Sequence, residues 1–491
     1  MTDEPDPVPS STAAGARSLK TSPDLDGADG QRILFLTGRL AENAVRKVVD
    51  DVRQQVGFEA TVHVLPISVA ALMHADWVAR KLDIDGTYDR VILPGWCQGN
   101  IDALSQQFAL PFELGPKDIF DLPEWFGGRR DAVDLSRYDI EILAEINHCP
   151  RLTDREILDI ARHYRNDGAD LIDVGCLPGE RWSRVGEVVA MLRDEGLRVS
   201  IDSFDRNEVE DAVAAGAELV LSCNATNREW LPQLGVEVVA IPDTPDDLDS
   251  LDETIDALSA AGCPFRVDPI IEPVGFGFAR SLARYYDVAR RHPDVAVMMG
   301  VGNISEMVEV DSAGVNMLLA AICQELGIHS VLTTEVINWA RTSVKEFDLA
   351  RRLVKHAIDN HTLAKHVDPQ LVMLRAPKLK EFGDEALARL AASLKDPNYR
   401  IFVEGGQIHV MNRDGYWRGQ DAFELFDAFT SQSGPLDASH AFYLGYELSK
   451  AVTALTLGKQ YQQDQALQWG FLTIPEPSAL ERRHRRDKSD Q

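Results

Sequence analysis

The chain has 491 residues, 45% of them hydrophobic, with 50 Lys and Arg against 78 Asp and Glu and a formal net charge of −28 at pH 7. That length allows more than one folded core, and the acidic balance excludes nucleic acid and anionic membranes as expected partners, so any anionic ligand must be held by local groups. No apolar run reaches the roughly 18 residues that span a bilayer, and the first thirty residues lack the apolar centre of a secretory signal, which points to the cytoplasm.

Residues 1–31 are rich in Pro, Ser, Asp and Gly without periodicity and read as a disordered tail. Residues 32–128 read as a small α/β domain: "RILFLTG", "ATVHVLPI" and "YDRVILPGW" have strand character, and "ENAVRKVVDDVRQQV" has helical spacing. "TGRLAENA" is a strand-to-helix turn, whose amides could also face an anion.

From 139 to 367 the grammar is regular. Eight strand candidates follow one another at 141–147, 170–175, 198–203, 218–223, 236–242, 264–270, 296–301 and 330–335, separated mostly by amphipathic helical segments. One of these, "TDREILDIARHYRNDG", carries a Thr153 N-cap and ends at Gly168. Eight β/α repeats match a (β/α)8 TIM barrel, with an open doubly wound sheet as the competitor. Residues 368–475, with "LVMLRAPK", "RIFVEGGQIHVMN" turning at Gly405-Gly406 and the helical "ASHAFYLGYELSKAVTALTLG", suggest a C-terminal α+β domain. Residues 476–491 form a basic tail.

In such a barrel the reacting groups sit at the C-terminal strand ends. Those ends carry Asn147, Asp173, Asp202, Ser222 to Asn224, Asp268, and Gly302 with Asn303; none is Lys or Arg. Paired carboxylates and amides suit a flat ligand that donates several N–H bonds, such as an aminopyrimidinone edge. Each has a plainer reading: Asp173 capping a loop, Asp202 capping the helix that starts near Arg206, Asp268 forming a turn before Pro269, and Asn147 and Asn224 satisfying loop backbone. Cys149, Cys176 and Cys223 fall near the same rim, without the spacing of a metal site. Gly275 and Gly277 in "DPIIEPVGFGFARSL" allow close backbone approach, and "GVGN" at 300–303 lies where barrels bind phosphate.

"GADLIDVG", "VSIDSF", "AAGAELVLSCNAT", "DPIIEPVGFGF" and "GVGNISEMVEVDSAGVN" together resemble the pterin-binding barrel of dihydropteroate synthases and methyltetrahydrofolate:corrinoid methyltransferases. The flanking segments resemble the longer dihydropteroate synthase-like proteins of organisms that make tetrahydromethanopterin. The resemblance implies that Asp202, Asn224 and Asp268 hold the pterin ring, joined by Asn147, Asp173, Gly275 and Asn303, with Asp202, Asp268 and Asn303 as the catalytic set. Mg2+ is expected near Asn147, and the family's diphosphate and arylamine sites do not carry over, so loop amides near Gly302 with Arg181 or Arg341 are the groups expected to meet a diphosphate. The chain departs from true dihydropteroate synthases, however: their Ser-Arg-Lys is replaced by Gly302, Asn303 and Ile304, and their Arg-x-His by "LTTEV". The implied function is a transferase condensing a 6-hydroxymethyl-dihydropterin diphosphate with an arylamine, expected to be a ribofuranosylaminobenzene phosphate. The alternatives are a methyl-tetrahydropterin methyltransferase component, which would need a separate corrinoid protein, and a non-catalytic pterin binder. A homodimer is the further partner expected.

Overall fold

The computed structural model describes residues 28–127, 133–434 and 436–477. The expected basic tail from 478 on, and the expected disordered tail up to residue 27, lie outside the described residues. The described residues fall into two compact units, divided between Asp134 and Leu135.

The first unit is a parallel sheet of β1 (Arg32–Gly38), β2 (Glu59–Leu65), β3 (Arg90–Leu93) and β4 (Phe112–Leu114), in the order β2-β1-β3-β4. The central strand β1 is buried at every position after Arg32, as an apolar run predicts for a strand covered on both faces. The helix Glu42–Val56 lays Val45, Val48, Val49 and Val52 on the sheet, the i, i+3, i+4, i+7 stripe of an amphipathic helix. Gly38 closes β1 because a Cβ there would sit 2.8 Å from the Ile67 carbonyl oxygen. β4 is not legible in the sequence; three residues are too few to show periodicity.

The second unit contains a closed parallel barrel of β5 (Glu141–Ile146), β6 (Leu171–Gly175), β7 (Val199–Asp202), β8 (Leu219–Cys223), β9 (Glu237–Ala240), β10 (Phe265–Val267), β11 (Ala296–Met299) and β12 (Ser330–Thr333). Each expected strand forms inside its expected range, and β12 pairs with β5 to close the ring. The first connecting helix, Asp154–Asn166, has its capping box made by Thr153 and Glu156.

Side chains alternate between the two faces of the barrel wall. Outward residues such as Ile142, Ala144, Ile146, Ile172 and Val174 pack under the helices. Inward residues stack in three layers along the axis. The base is charged and paired: Arg266 grips Glu237 with two hydrogen bonds of 2.9 Å and reaches Glu141 at 2.8 Å. Arg198 bonds Glu218 at 2.5 Å and also donates to Glu141. Above it Leu143, Leu171, Leu219, Leu221, Val239 and Met298 form an apolar disk. The top layer, at the C-terminal strand ends, is polar.

Beyond the barrel, β13 (Arg400–Glu404), β14 (Gln407–Asn412), β15 (Gly415–Gly419) and β16 (Tyr461–Gln462) form an antiparallel sheet in the order β15-β14-β13-β16. Gly405 and Gly406 make the turn between β13 and β14 with φ of 57° and 74°, the left-handed pair that a two-residue hairpin uses. The helices Ala422–Ser433 and Ala438–Leu457 pack on this sheet through Leu425, Phe429, Leu444 and Leu448. "LVMLRAPK" pairs with no strand; it runs as an irregular strap, held where Lys459 Nζ donates to the Met373 carbonyl at 2.6 Å.

The base of the barrel gives a stability prediction. Arg266→Ala takes the hydrogen-bonded partner from Glu237 and leaves Glu141 to Arg198 alone, and at this partly exposed base is expected to destabilise the barrel by about 1 kcal/mol, whereas pairing Arg266→Met with Glu237→Gln recovers most of the loss. Urea unfolding of the single and double variants measures both.

Candidate active site

The polar top layer gathers residues from every quarter of the chain between β5 and β12. Glu145, Asp173 and Asp202 come from the adjacent strands β5, β6 and β7, and each offers a carboxylate oxygen within 4.8 Å of the other two. Asp173 is fully buried; Ser200 Oγ donates to its Oδ1, while its Oδ2 has no hydrogen-bond partner. Gly175 makes the space for Glu145, since a Cβ there would lie 2.7 Å from Glu145 Oε1. Among the described residues none of the three forms an ion pair. Burial and the neighbouring charges therefore push Glu145 up to about 7 and raise Asp173 well above the ordinary carboxylate range, and burial pushes Asp202 up to about 6. Glu306, in the loop after β11, adds to the charge felt by Glu145, and its own buried Oε1 lacks a partner.

Asp268, just past β10, stands three strand positions from Asp202 around the ring. Its Oδ1 accepts from Tyr285 Oη and from the Ile270 N–H at 2.8 Å. Oδ2 faces the turn after β11: a Cβ built on Gly300 would meet Asn303 Nδ2 at 3.6 Å and Asp268 Oδ2 at 3.7 Å. Gly300 thus leaves the gap across which Asp268 and Asn303 come together. Burial pushes Asp268 up to about 6, against the opposing pull of hydrogen bonds from Tyr285, Ile270 and Gly300. Asn303 itself is exposed and donates to the Ile271 carbonyl at 3.2 Å.

The other expected residues fall as follows. Asn147 follows β5 and its Oδ1 accepts from Thr334 Oγ1 at 2.5 Å. Asn224 follows β8, but its Oδ1 already accepts from the Thr226 N–H at 3.0 Å and the Thr226 hydroxyl at 2.7 Å, so the loop uses that oxygen. Asp202 does not cap the next helix; Asp205 does, accepting from Asn207 and Glu208. Gly275, with φ of 92°, lies in an exposed turn and has open space around it. The helix Phe278–Arg291 beyond it presents its first turn to the chain's own Glu272, whose carboxylate lies 2.7 Å from where a Gly277 Cβ would be. Gly302 is buried at the start of a four-residue helix, Gly302–Ser305. Arg181 and Arg341 are exposed in the loops after β6 and β12. The rim thiols are packed in: burial pushes Cys149 and Cys223 up to about 12 and Cys176 higher still.

Sequence reasoning missed Glu145, Ser200, Tyr285 and Glu306. Glu145 carried a signal: it precedes Asn147 by two residues, and period two puts both on the inner face. Tyr285 carried none, because it reaches Asp268 from the middle of a helix. Glu208 was missed as well; it accepts from the Trp182 N–H at 2.6 Å and from Ser203 Oγ, and so fixes the loop that carries Arg181.

Residues 149–240 match the family described as pterin binding enzyme. That match spans four of the eight barrel strands, β6 to β9. The matched stretch holds Asp173, Asp202 and Asn224; Glu145, Asp268 and Asn303 lie outside it. Residues 31–117 match a family of unknown function, DUF6513, and residues 392–464 match PterinBD-DUF4346. The chain is similar to an uncharacterized protein of Methanocaldococcus jannaschii, 25% identical over 521 residues covering 88% of this chain and 98% of that protein. Solved structures similar to it include a dihydropteroate synthase of Yersinia pestis with a pterine-sulfa conjugate, at 21% identity, 46% of this chain, 95% of that chain and a TM-score of 0.37. Another is the dihydropteroate synthase of Thermus thermophilus in complex with 6HMPPP, at 19% identity, 46% of this chain, 96% of that chain and a TM-score of 0.37. The match over residues 149–240 supports a pterin-related role. No described helix is long and apolar enough to cross a membrane.

The raised Glu145 yields a pH prediction. Its folded pKa of about 7 exceeds the ordinary value of 4.5, so the folded state binds the extra proton and its stability falls as pH rises through that window. In metal-free buffer Glu145→Gln is expected to be more stable than the parent at pH 8 by on the order of 3 kcal/mol, with the gap closing toward pH 5. Chemical denaturation at the two pH values measures it, and a variant no more stable at pH 8 contradicts the assignment.

Proposed function

We propose that the barrel mouth binds a reduced pterin and that the chain is a dihydropteroate synthase-like transferase, condensing a 6-hydroxymethyl-dihydropterin diphosphate with an arylamine. The observation that carries the pterin reading is Asp268. Its Oδ1 is immobilised by Tyr285 and a backbone N–H, and Oδ2, on the Gly300 side, is the acceptor proposed for the ring's 2-amino and N3 hydrogens. Asp202 receives donors from the opposite arc. The apolar disk below both carboxylates suits the underside of a flat ring.

The chemistry asks for positioning more than for a base. The arylamine nitrogen bonds to the exocyclic carbon as the C–O bond to diphosphate breaks; the electron pair departs with the diphosphate and the amine's proton goes to solvent. Anionic Asp202 and Asp268 stabilise the positive charge that the ring develops as the leaving group departs. Phe204, Phe276 and Met307, exposed on the loops around the mouth, offer apolar surface to an aromatic amine. Arg181 and Arg341 are the loop cations proposed to meet the diphosphate. The amine proposed is a ribofuranosylaminobenzene phosphate, on the strength of the whole-chain resemblance.

A second reading has its own support: Asn303 beside Asp268 across Gly300 suits a methylated tetrahydropterin, whose methyl group would pass to a corrinoid protein. Diphosphate release from dihydropterin diphosphate, arylamine and Mg2+ decides for the first reading. No release with any arylamine, together with binding of methyl-tetrahydropterin, decides for the second.

Both readings require Asp268. Asp268→Asn turns one acceptor into a donor and is expected to lower pterin affinity roughly a hundredfold while circular dichroism stays unchanged. In the parent, affinity should weaken as pH falls through about 6, where Asp268 takes up its proton. Calorimetric titration with a dihydropterin reads both effects, and unaltered affinity in the variant removes Asp268 from the site.

A further inference from the structure

Three carboxylates share the deepest part of the mouth, and the pterin reading uses only one of them, Asp202. Oxygens bound to one small hard cation sit about 2.0–2.6 Å from it, and hence within about 5 Å of one another. Glu145, Asp173 and Asp202 meet that condition, each with an oxygen within 4.8 Å of the others. Closeness alone is not a site, since carboxylates can share protons instead. The second observation is Asp173 Oδ2. It belongs to a side chain with no exposed surface, has no hydrogen-bond partner, and sits on a carboxylate whose other oxygen is fixed by Ser200. A buried carboxylate oxygen with no protein partner costs stability until a proton or a ligand pairs with it. Gly175 adds the space, because any side chain there would displace Glu145 from the cluster.

We propose that Glu145, Asp173 and Asp202 bind one divalent cation of the hard, oxygen-preferring class, such as Mg2+ or Mn2+, at the floor of the barrel mouth. The three ligands come from neighbouring strands of a closed barrel, so the cage is preformed and rigid. Asn147, the residue from which Mg2+ was expected to hang, is a poorer ligand because its Oδ1 already accepts from Thr334. The other carboxylate cluster, His163, Asp167 and Glu335, also brings its ligand atoms within 4.8 Å of one another. It is compensated from within: His163 Nε2 lies 3.1 Å from Glu335 and 3.6 Å from Asp167, and Lys345 lies 3.9 Å from Asp167. The bound cation would neutralise the floor, so that the pterin ring meets Asp202 and Asp268 without two further unpaired charges beneath it.

The inference does not rest on the pterin reading, and its test contains no pterin. Full-length protein freed of metal is titrated with Mn2+ at pH 7.5, read by calorimetry and by the loss of the free Mn2+ electron paramagnetic resonance signal. One Mn2+ per chain is expected, with a matching rise in melting temperature. Glu145→Gln should weaken binding roughly tenfold or more, and so should Asp173→Asn. His163→Gln should leave binding unchanged. If Asp173→Asn does not fold, Glu145→Gln carries the test, because that side chain is only half-buried. No stoichiometric Mn2+ uptake by the parent, uptake that survives Glu145→Gln, or uptake that is lost in His163→Gln would each overturn the proposal. Pterin affinity in the Asp268→Asn variant is measured separately, so the two claims fail independently.

Discussion

A carboxylate taken out of water keeps its charge only when something replaces the lost hydration. That constraint divides the interior of this barrel. At the base, Glu141, Glu218 and Glu237 are matched by Arg198 and Arg266 in a closed network of hydrogen-bonded pairs. At the mouth, Glu145, Asp173, Asp202 and Asp268 form no ion pair among the described residues, and all four have raised pKa values. The two ends are separated by a disk of aliphatic side chains, so the arginines of the base cannot relieve the mouth. What the mouth lacks is positive charge or hydrogen-bond donors, and a ligand can supply either.

Much of this is legible in the sequence because a parallel barrel strand, covered on both faces, writes itself as a short apolar run closed by a polar residue. "DLIDVG", "RVSIDS" and "ELVLSC" have that form, and each becomes a strand ending at the mouth. Asp202 and Asp268 stand out because a carboxylate ending such a run has few structural uses. Glu145 does not, since it lies within "EILAEIN", where a reader without coordinates assigns a charged residue to a solvent face. The plug at the base is hidden for the same reason: Arg198 and Arg266 look like ordinary charged residues near strand starts, and only closure of the ring turns them inward.

Contacts that depend on tertiary packing leave no trace at all. Tyr285 supports Asp268 from a helix seventeen residues further on. Asn224, expected to touch the ligand, spends its carbonyl oxygen on its own loop, a use that short-range hydrogen bonding of Asn makes common. The hairpin at Gly405-Gly406 is readable because two consecutive left-handed residues require glycine or a near substitute. "LVMLRAPK" misleads because its apolar residues brace a strap instead of filling a sheet.

The paired arginines and glutamates at the base make the barrel a vessel with a single door. Any ligand that enters between the loops must leave between them, so arriving and departing molecules would share one passage. The loops that bear Phe204, Phe276 and Met307 border that passage. Substitutions in those loops would then alter the pace of exchange without touching the carboxylates beneath them.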